Sequence, residues 1–148
     1  MKVRPIEPRD QAAWAAMRWA LWPDEDRDEL EEETKAHFTE GAVTADVLVC
    51  EDGERLIGMI ELGVRSYAEG AEDAPCPHIE AWYVAADARR RGVGRALVQA
   101  AEDWAREHGF RELTSDVLLD NDASLAAHGA LGFGEVERIV CFHKKLGV

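Results

Sequence analysis

A chain of 148 residues, 47% of them hydrophobic, can bury one sizeable core without disulfides or metal, and none of its apolar runs is long enough to span a membrane. A formal net charge of −13 disfavours nucleic acid and anionic membranes as partners and favours cations. Cys50, Cys76 and Cys141 and the five histidines show no metal-ligand spacing, so no metal is expected; the thiols read as core groups, with Cys76, between two prolines, the one with a reason to be exposed. The start, Met1-Lys2-Val3-Arg4-Pro5, lacks the apolar centre of a signal peptide, and a cytoplasmic protein is expected.

Val3 to Ile6 predicts a first strand. Pro8 and Asp10 suit a helix start, and Ala13, Trp14, Met17, Ala20 and Leu21 then share one face until Pro23 ends the run. A second helix around Asp28 to Thr39 is acidic over most of its surface. Val43 to Glu51 alternates as a strand, Asp52-Gly53 marks a hairpin turn, and Leu56 to Val64 returns. After a polar loop from Ser66 to Pro77, Ile79 to Val84 reads as a strand whose only charge is Glu80. Val93, Ala96, Leu97, Ala100, Ala101, Trp104 and Ala105 form one helical face, stopped by Gly109. Glu112 to Leu118 predicts another strand, Asn121 to Leu131 a helix with Gly132 behind it, and Glu135 to Phe142 a last strand. The order is β-α-α-β-β-β-α-β-α-β, an α/β arrangement in one domain over residues 1–148.

Between the strand ending at Val84 and the helix starting at Val93 lies Arg89-Arg90-Arg91-Gly92-Val93-Gly94. Two glycines let backbone N–H groups approach a ligand at the positive end of a helix, with arginines alongside, a combination that suits a pyrophosphate. A Walker loop would require Lys-Ser or Lys-Thr after Gly94, where Arg95-Ala96 stands, and the dinucleotide fingerprint would require glycine at 97, where leucine stands. The alternative is an ordinary turn bearing solvated arginines.

The spacing R-x-x-G-x-G, in its strand-loop-helix setting, resembles the acetyl-CoA signature of the GCN5-related N-acetyltransferases (GNAT). Asn121, Ala123 and Leu131-Gly132-Phe133 resemble that family's second motif, and the element order is that of its fold. The resemblance covers essentially the whole chain. It implies a mixed, mostly antiparallel central sheet flanked by helices, with acetyl-CoA as co-substrate. Arg89, Arg90, Arg91, Gly92, Val93, Gly94 and Arg95 would hold the pyrophosphate, and Asn121 would meet the pantetheine or the leaving thiol. The family's fourth and fifth strands splay around the pantetheine, and a backbone N–H among Trp82, Tyr83 and Val84 would polarise the thioester carbonyl.

Leu21-Trp22-Pro23, Tyr67, Ile79-Glu80, Ser115-Asp116 and Glu135-Val136-Glu137-Arg138 resemble the aminoglycoside 6'-N-acetyltransferases within that family. A polycationic amino sugar calls for carboxylates and aromatic faces. Trp22 and Tyr67 would supply the faces, and Glu80, Asp116 and Glu137 the charge. The plainer readings are that Trp22, before a proline, is a packing plug, the more common role of a tryptophan there, that Tyr67 is a surface residue, and that Glu137 is a solubility charge on an edge strand. Glu80 is costly in an apolar strand unless it faces a cleft, and Asp116 is similar. A protonated amine has to lose a proton before it attacks, so Glu80 and Asp116 are the candidates to bind or deprotonate it through water. His128 stands where the wider family carries a thiolate-protonating tyrosine; it could donate a proton or merely fill the slot. Phe142-His143 replaces an expected Tyr-Arg-like pair. A homodimer is implied by resemblance alone. A polyamine or protein amine as acceptor, or a catalytically silent acyl-CoA sensor, are the other readings of the same cofactor loop.

Overall fold

A computed structural model describes residues 1–41 and 46–147. In chain order it contains β1 (Lys2–Pro5), a 3-10 turn (Pro8–Asp10), α1 (Gln11–Leu21), α2 (Arg27–Thr39), β2 (Asp46–Asp52), β3 (Arg55–Arg65), β4 (Cys76–Val84), a second 3-10 turn (Ala86–Ala88), α3 (Val93–Glu107) and α4 (Asp122–Ala130). The expected start of β2 at Val43 lies outside the described residues. The chain divides into two compact units, Met1–Ser115 and Asp116–Val148.

In the first unit the strands form an antiparallel sheet in the order β1-β2-β3-β4. β3 is buried from Ile57 to Gly63, because helices cover both of its faces and leave no side for polar alternation. Met59 packs with Trp14 and Met17 of α1, whereas its neighbour Gly58 lies against Val93 and Leu97 of α3. Successive strand residues point to opposite faces, so α1 and α3 lie on opposite sides of the sheet. The pairing of β3 with β4 slips between Glu61 and Leu62, whose partners are Ala81 and Ile79, and Glu80 is the extra, bulged residue. α1 differs from its expected face in one respect: Arg18 is buried while Ala13 and Ala20 are exposed. Burial also corrects the expectation for Cys76, which opens β4 with its Sγ 3.6 Å from the Arg65 carbonyl, while Cys141 is the exposed thiol.

The expected strand from Glu112 to Leu118 is reduced to a single parallel bridge, His78 to Thr114. There Thr114 donates its N–H to Pro77 O (3.1 Å) and accepts from the Ile79 N–H (2.9 Å). Two residues earlier, Glu112 is engaged elsewhere: its carboxylate accepts the N–H groups of Glu72 and Asp73 at 2.9–3.1 Å, pinning the loop after β3.

The second unit contains α4. Asn121 caps it by accepting the Ser124 N–H at 3.1 Å. Gly132, at φ +90°, closes its other end in a Schellman arrangement, with Gly132 N–H to Gly129 O and Phe133 N–H to His128 O. Over residues 135–142, where a last strand was expected, none is formed among the described residues, and Val136, Ile139, Val140 and Phe142 are exposed. Alternating side chains favour a strand, but a strand exists only as part of a ladder, and this segment has no ladder among the described residues.

Candidate functional site

The loop between β4 and α3 is shaped by two left-handed residues, Arg90 at φ +62° and Gly92 at φ +82°. Gly92 is the N-cap of α3 and offers no side chain, so the N–H groups of the first turn are left for an outside acceptor. Gly94 answers a different need. A Cβ there would stand 3.1 Å from Cζ2 of Trp82, so its absence lets α3 close onto β4. Arg89, Arg90, Arg91 and Arg95 are all exposed around this terminus. Arg89 Nε donates to Val84 O at 3.2 Å, and Arg91 donates to Asp52 at 2.8 Å across the β2–β3 hairpin. The Arg91 guanidinium holds the Asp52 carboxyl below its ordinary range. A bare helix N-terminus, a left-handed Gly92 with open space where a Cβ would stand, and flanking arginines fit the pyrophosphate of an acyl-CoA. Val93 is buried and anchors the helix, and Trp82, Tyr83 and Val84 form the half-buried end of β4.

Further back along β4, the bulge redirects Glu80. Its carboxylate lies over Gly63, where a Cβ would come within 2.8 Å of Oε1. Gly63 shares its face of β3 with Met59 and Glu61, so Glu80 lies on the sheet face that α1 covers. Arg65 grips both Glu80 oxygens, Nε to Oε1 at 2.9 Å and Nη2 to Oε2 at 2.7 Å. That guanidinium holds Glu80 below the usual carboxylate range, so it is an ionised anchor and a weak base near neutral pH. Trp22 ends α1 and is half-buried, packed against the core cluster that contains Trp14 and Met17. Tyr67 is 68% exposed in the loop that Glu112 pins.

Asp116, Asn121, His128 and Glu137 belong to the second unit. Asp116 and Glu137 are exposed, and Asn121 spends its side-chain oxygen on the helix cap. His128 Nδ1 donates to the Ser124 carbonyl at 2.7 Å, and its ring lies edge-on to Phe133. With Nδ1 protonated, the neutral ring offers Nε2 as an acceptor, so an acid role would require the imidazolium.

Sequence reasoning passed over Arg18, Glu61, Gly63, Arg65 and Glu112. Glu61 carried the signal that singled out Glu80, a lone carboxylate in an apolar run, and burial resolves it differently. Glu61 is 2% exposed and accepts from Trp14 Nε1 and Arg18 Nε, each at 2.8 Å. Among the described residues no cluster of three or more His, Cys, Asp or Glu could hold a metal, and no helix is long and apolar enough to cross a membrane.

The acetyltransferase (GNAT) family model matches residues 11–133. The aminoglycoside N(6')-acetyltransferase type 1 of Klebsiella aerogenes is 47% identical over 148 residues, covering 97% of this chain and 96% of that protein. Among solved structures, the aminoglycoside 6'-N-acetyltransferase AAC(6')-IG from Acinetobacter haemolyticus is 34% identical, with a TM-score of 0.86 over 99% of this chain and all of that one. AAC(6')-Iy in complex with the bisubstrate analog CoA-S-monomethyl-acetylneamine is 27% identical, with a TM-score of 0.88 over 98% of both chains.

Proposed function

The chain belongs to the GNAT acetyltransferase family, and from that premise we propose that it transfers acetyl directly from acetyl-CoA to the 6'-amine of aminoglycosides. The observation that carries the reading is the cradle of Gly92 and Gly94 at the bare start of α3, on a chain 47% identical to an enzyme of that name. We take 1–148 as one acetyltransferase domain, which the family match supports by crossing the boundary between the two units.

The N–H groups at the start of α3, with Arg89, Arg90, Arg91 and Arg95, would hold the pyrophosphate, and Asn121 would meet the pantetheine end. When bound, acetyl-CoA supplies the activated acetyl thioester. A backbone N–H among Trp82, Tyr83 and Val84 would polarise its carbonyl, a contribution on the order of 3 kcal/mol. Trp22 and Tyr67 would stack on sugar rings. Glu80, ionised and clamped by Arg65, would attract the reacting ammonium, leaving Asp116 to draw off the proton through water. Glu137 would add a further carboxylate, and His128 as imidazolium could protonate the departing thiolate. The net charge of −13 suits a polycationic acceptor, use of acetyl-CoA supports a cytoplasmic location, and the exposed apolar side chains at 136–142 support a homodimer.

The test is CoA release with kanamycin, tobramycin and spermidine side by side, and the product's spectrum for the position acetylated. Turnover confined to spermidine would reassign the acceptor, and acetyl-CoA binding without turnover of any amine would make the protein a sensor. Asp116→Asn should lower kcat/KM by about 10²-fold with acetyl-CoA binding retained.

A further inference from the structure

Arg18 is an arginine on the core face of a helix, its side chain 8% exposed, and every part of its guanidinium is used. Nε donates to Glu61 Oε1 at 2.8 Å and Nη2 reaches Oε2 at 3.4 Å, while Trp14 Nε1 completes the shell of the buried carboxylate. The remaining arm, Nη1, donates to Glu33 Oε2 on α2 at 2.7 Å. Its Cζ lies 5.5 Å from the Trp14 ring centroid and 5.2 Å from that of Trp22.

A buried ion pair of this kind seldom stabilises a fold more than an apolar residue of the same size would, because desolvation offsets the attraction. What it does provide is direction. The planar fork, held from inside by Glu61, dictates the attitude of two groups nearer the surface that lie on separate elements: the Trp22 ring at the end of α1 and the Glu33 carboxylate on α2. Glu33 is half-exposed, and with Oε2 given to Arg18 its other oxygen remains an acceptor. Lysine could supply the charge but not the fork, and methionine could supply the packing but neither.

We propose that Arg18, anchored on Glu61, is a positioning residue that holds Trp22 and Glu33 together as one subsite for an ammonium-bearing sugar ring of the acceptor. The ring face of Trp22 takes the sugar and the Glu33 carboxylate takes its ammonium. The assignment rests on the aminoglycoside reading above and adds to it a residue that touches no substrate.

Steady-state CoA release with kanamycin, on the full chain, tests it with wild type, Arg18→Met, Arg18→Lys, Glu33→Gln and the double variant Arg18→Met/Glu33→Gln. Arg18→Met and Glu33→Gln are each expected to raise the kanamycin KM by about tenfold, the worth of one charge-assisted contact. Both should leave kcat and the acetyl-CoA KM within about twofold. Arg18→Lys should recover only part of the loss. The double variant should be no worse than Arg18→Met alone, since Arg18 acts through Glu33. An additive double variant, an unchanged kanamycin KM, or a parallel loss in kcat and both KM values would overturn the inference while leaving the functional reading intact. Glu33 is on the surface, so its single variant reads the subsite even if Arg18→Met does not fold. Absence of kanamycin turnover by wild type would overturn the functional reading and this inference with it.

Discussion

Replacing Gly63 by alanine would move the Glu80 carboxylate without altering its charge. A Cβ at this position would stand 2.8 Å from Oε1, 3.1 Å from Cγ and 3.4 Å from Cδ of Glu80, and ordinary contact begins near 3.4 Å. The carboxylate therefore has to retreat by about 0.6 Å, the gap between those two distances. It cannot slide freely, because Arg65 holds both oxygens at 2.9 and 2.7 Å. A misplacement of about 1 Å can cost about 10²-fold in rate, so kcat/KM for kanamycin should fall roughly 10- to 50-fold, or about 1.4–2.3 kcal/mol of transition-state stabilisation. Stability should fall by no more than about 2.5 kcal/mol, since alanine in a strand gains about 0.5–1 kcal/mol over glycine against about 1–3 kcal/mol of crowding. The assay is steady-state acetylation, with calorimetric acetyl-CoA binding to show that the donor site is intact and Glu80→Gln as the reference. A folded Gly63→Ala enzyme with wild-type kcat/KM beside an impaired Glu80→Gln would refute the geometric argument. Full activity in both would remove Glu80 from the acceptor site.

Gly94→Ala sets a Cβ 3.1 Å from Trp82 Cζ2 and should weaken acetyl-CoA binding about tenfold in calorimetry. Its melting temperature should barely move, because alanine's helix preference of about 1 kcal/mol opposes the crowding. Asp10 accepts Arg4 at 2.7 and 3.0 Å and the Glu7 N–H at 2.8 Å, and Arg4 holds its carboxyl below the ordinary 3.8. A depressed carboxylate contributes above its unfolded pKa and loses that contribution as pH falls through the folded one. Asp10→Asn should therefore cost about 1.5–3 kcal/mol in urea unfolding at pH 7, and the gap between the two proteins should begin to narrow as pH falls past 3.8 and close only below the depressed folded-state value; a gap that does not narrow with falling pH would count against the pair. Glu112→Gln removes the charged acceptor of the Glu72 and Asp73 N–H groups. Hydrogen exchange at those amides should accelerate, and the kanamycin KM should rise about two- to fivefold with the acetyl-CoA KM unchanged.

What was legible beforehand is uneven, and particular residues show why. α3 and its loop could be read because both signals are local: a helical period from Val93 to Ala105, and glycines whose backbone conformation is a property of the residue itself. The same holds for α4, whose cap at Asn121 and Schellman close at Gly132 span only a few residues each. The fifth and last strands were over-read, since alternation records side-chain polarity but not the presence of a neighbouring ladder.

The contrast is sharpest at the two carboxylates of β3 and β4. By itself the sequence determined the arginine-glycine loop, the helix that follows it and the lone carboxylate of Glu80 in an apolar strand, while Glu61, a carboxylate in the same kind of setting, was passed over. Only the tertiary structure sent Glu61 inward to the Arg18 fork and turned Glu80, through a one-residue slip in strand register, over Gly63 and into the grip of Arg65. Register, burial and ion pairing depend on residues 15 to 43 positions apart, whereas periodicity and backbone preference act within a few residues. For that reason the loop before α3 and the helix itself were readable from the chain, and the partners of Glu61 and Glu80 had to wait for the fold.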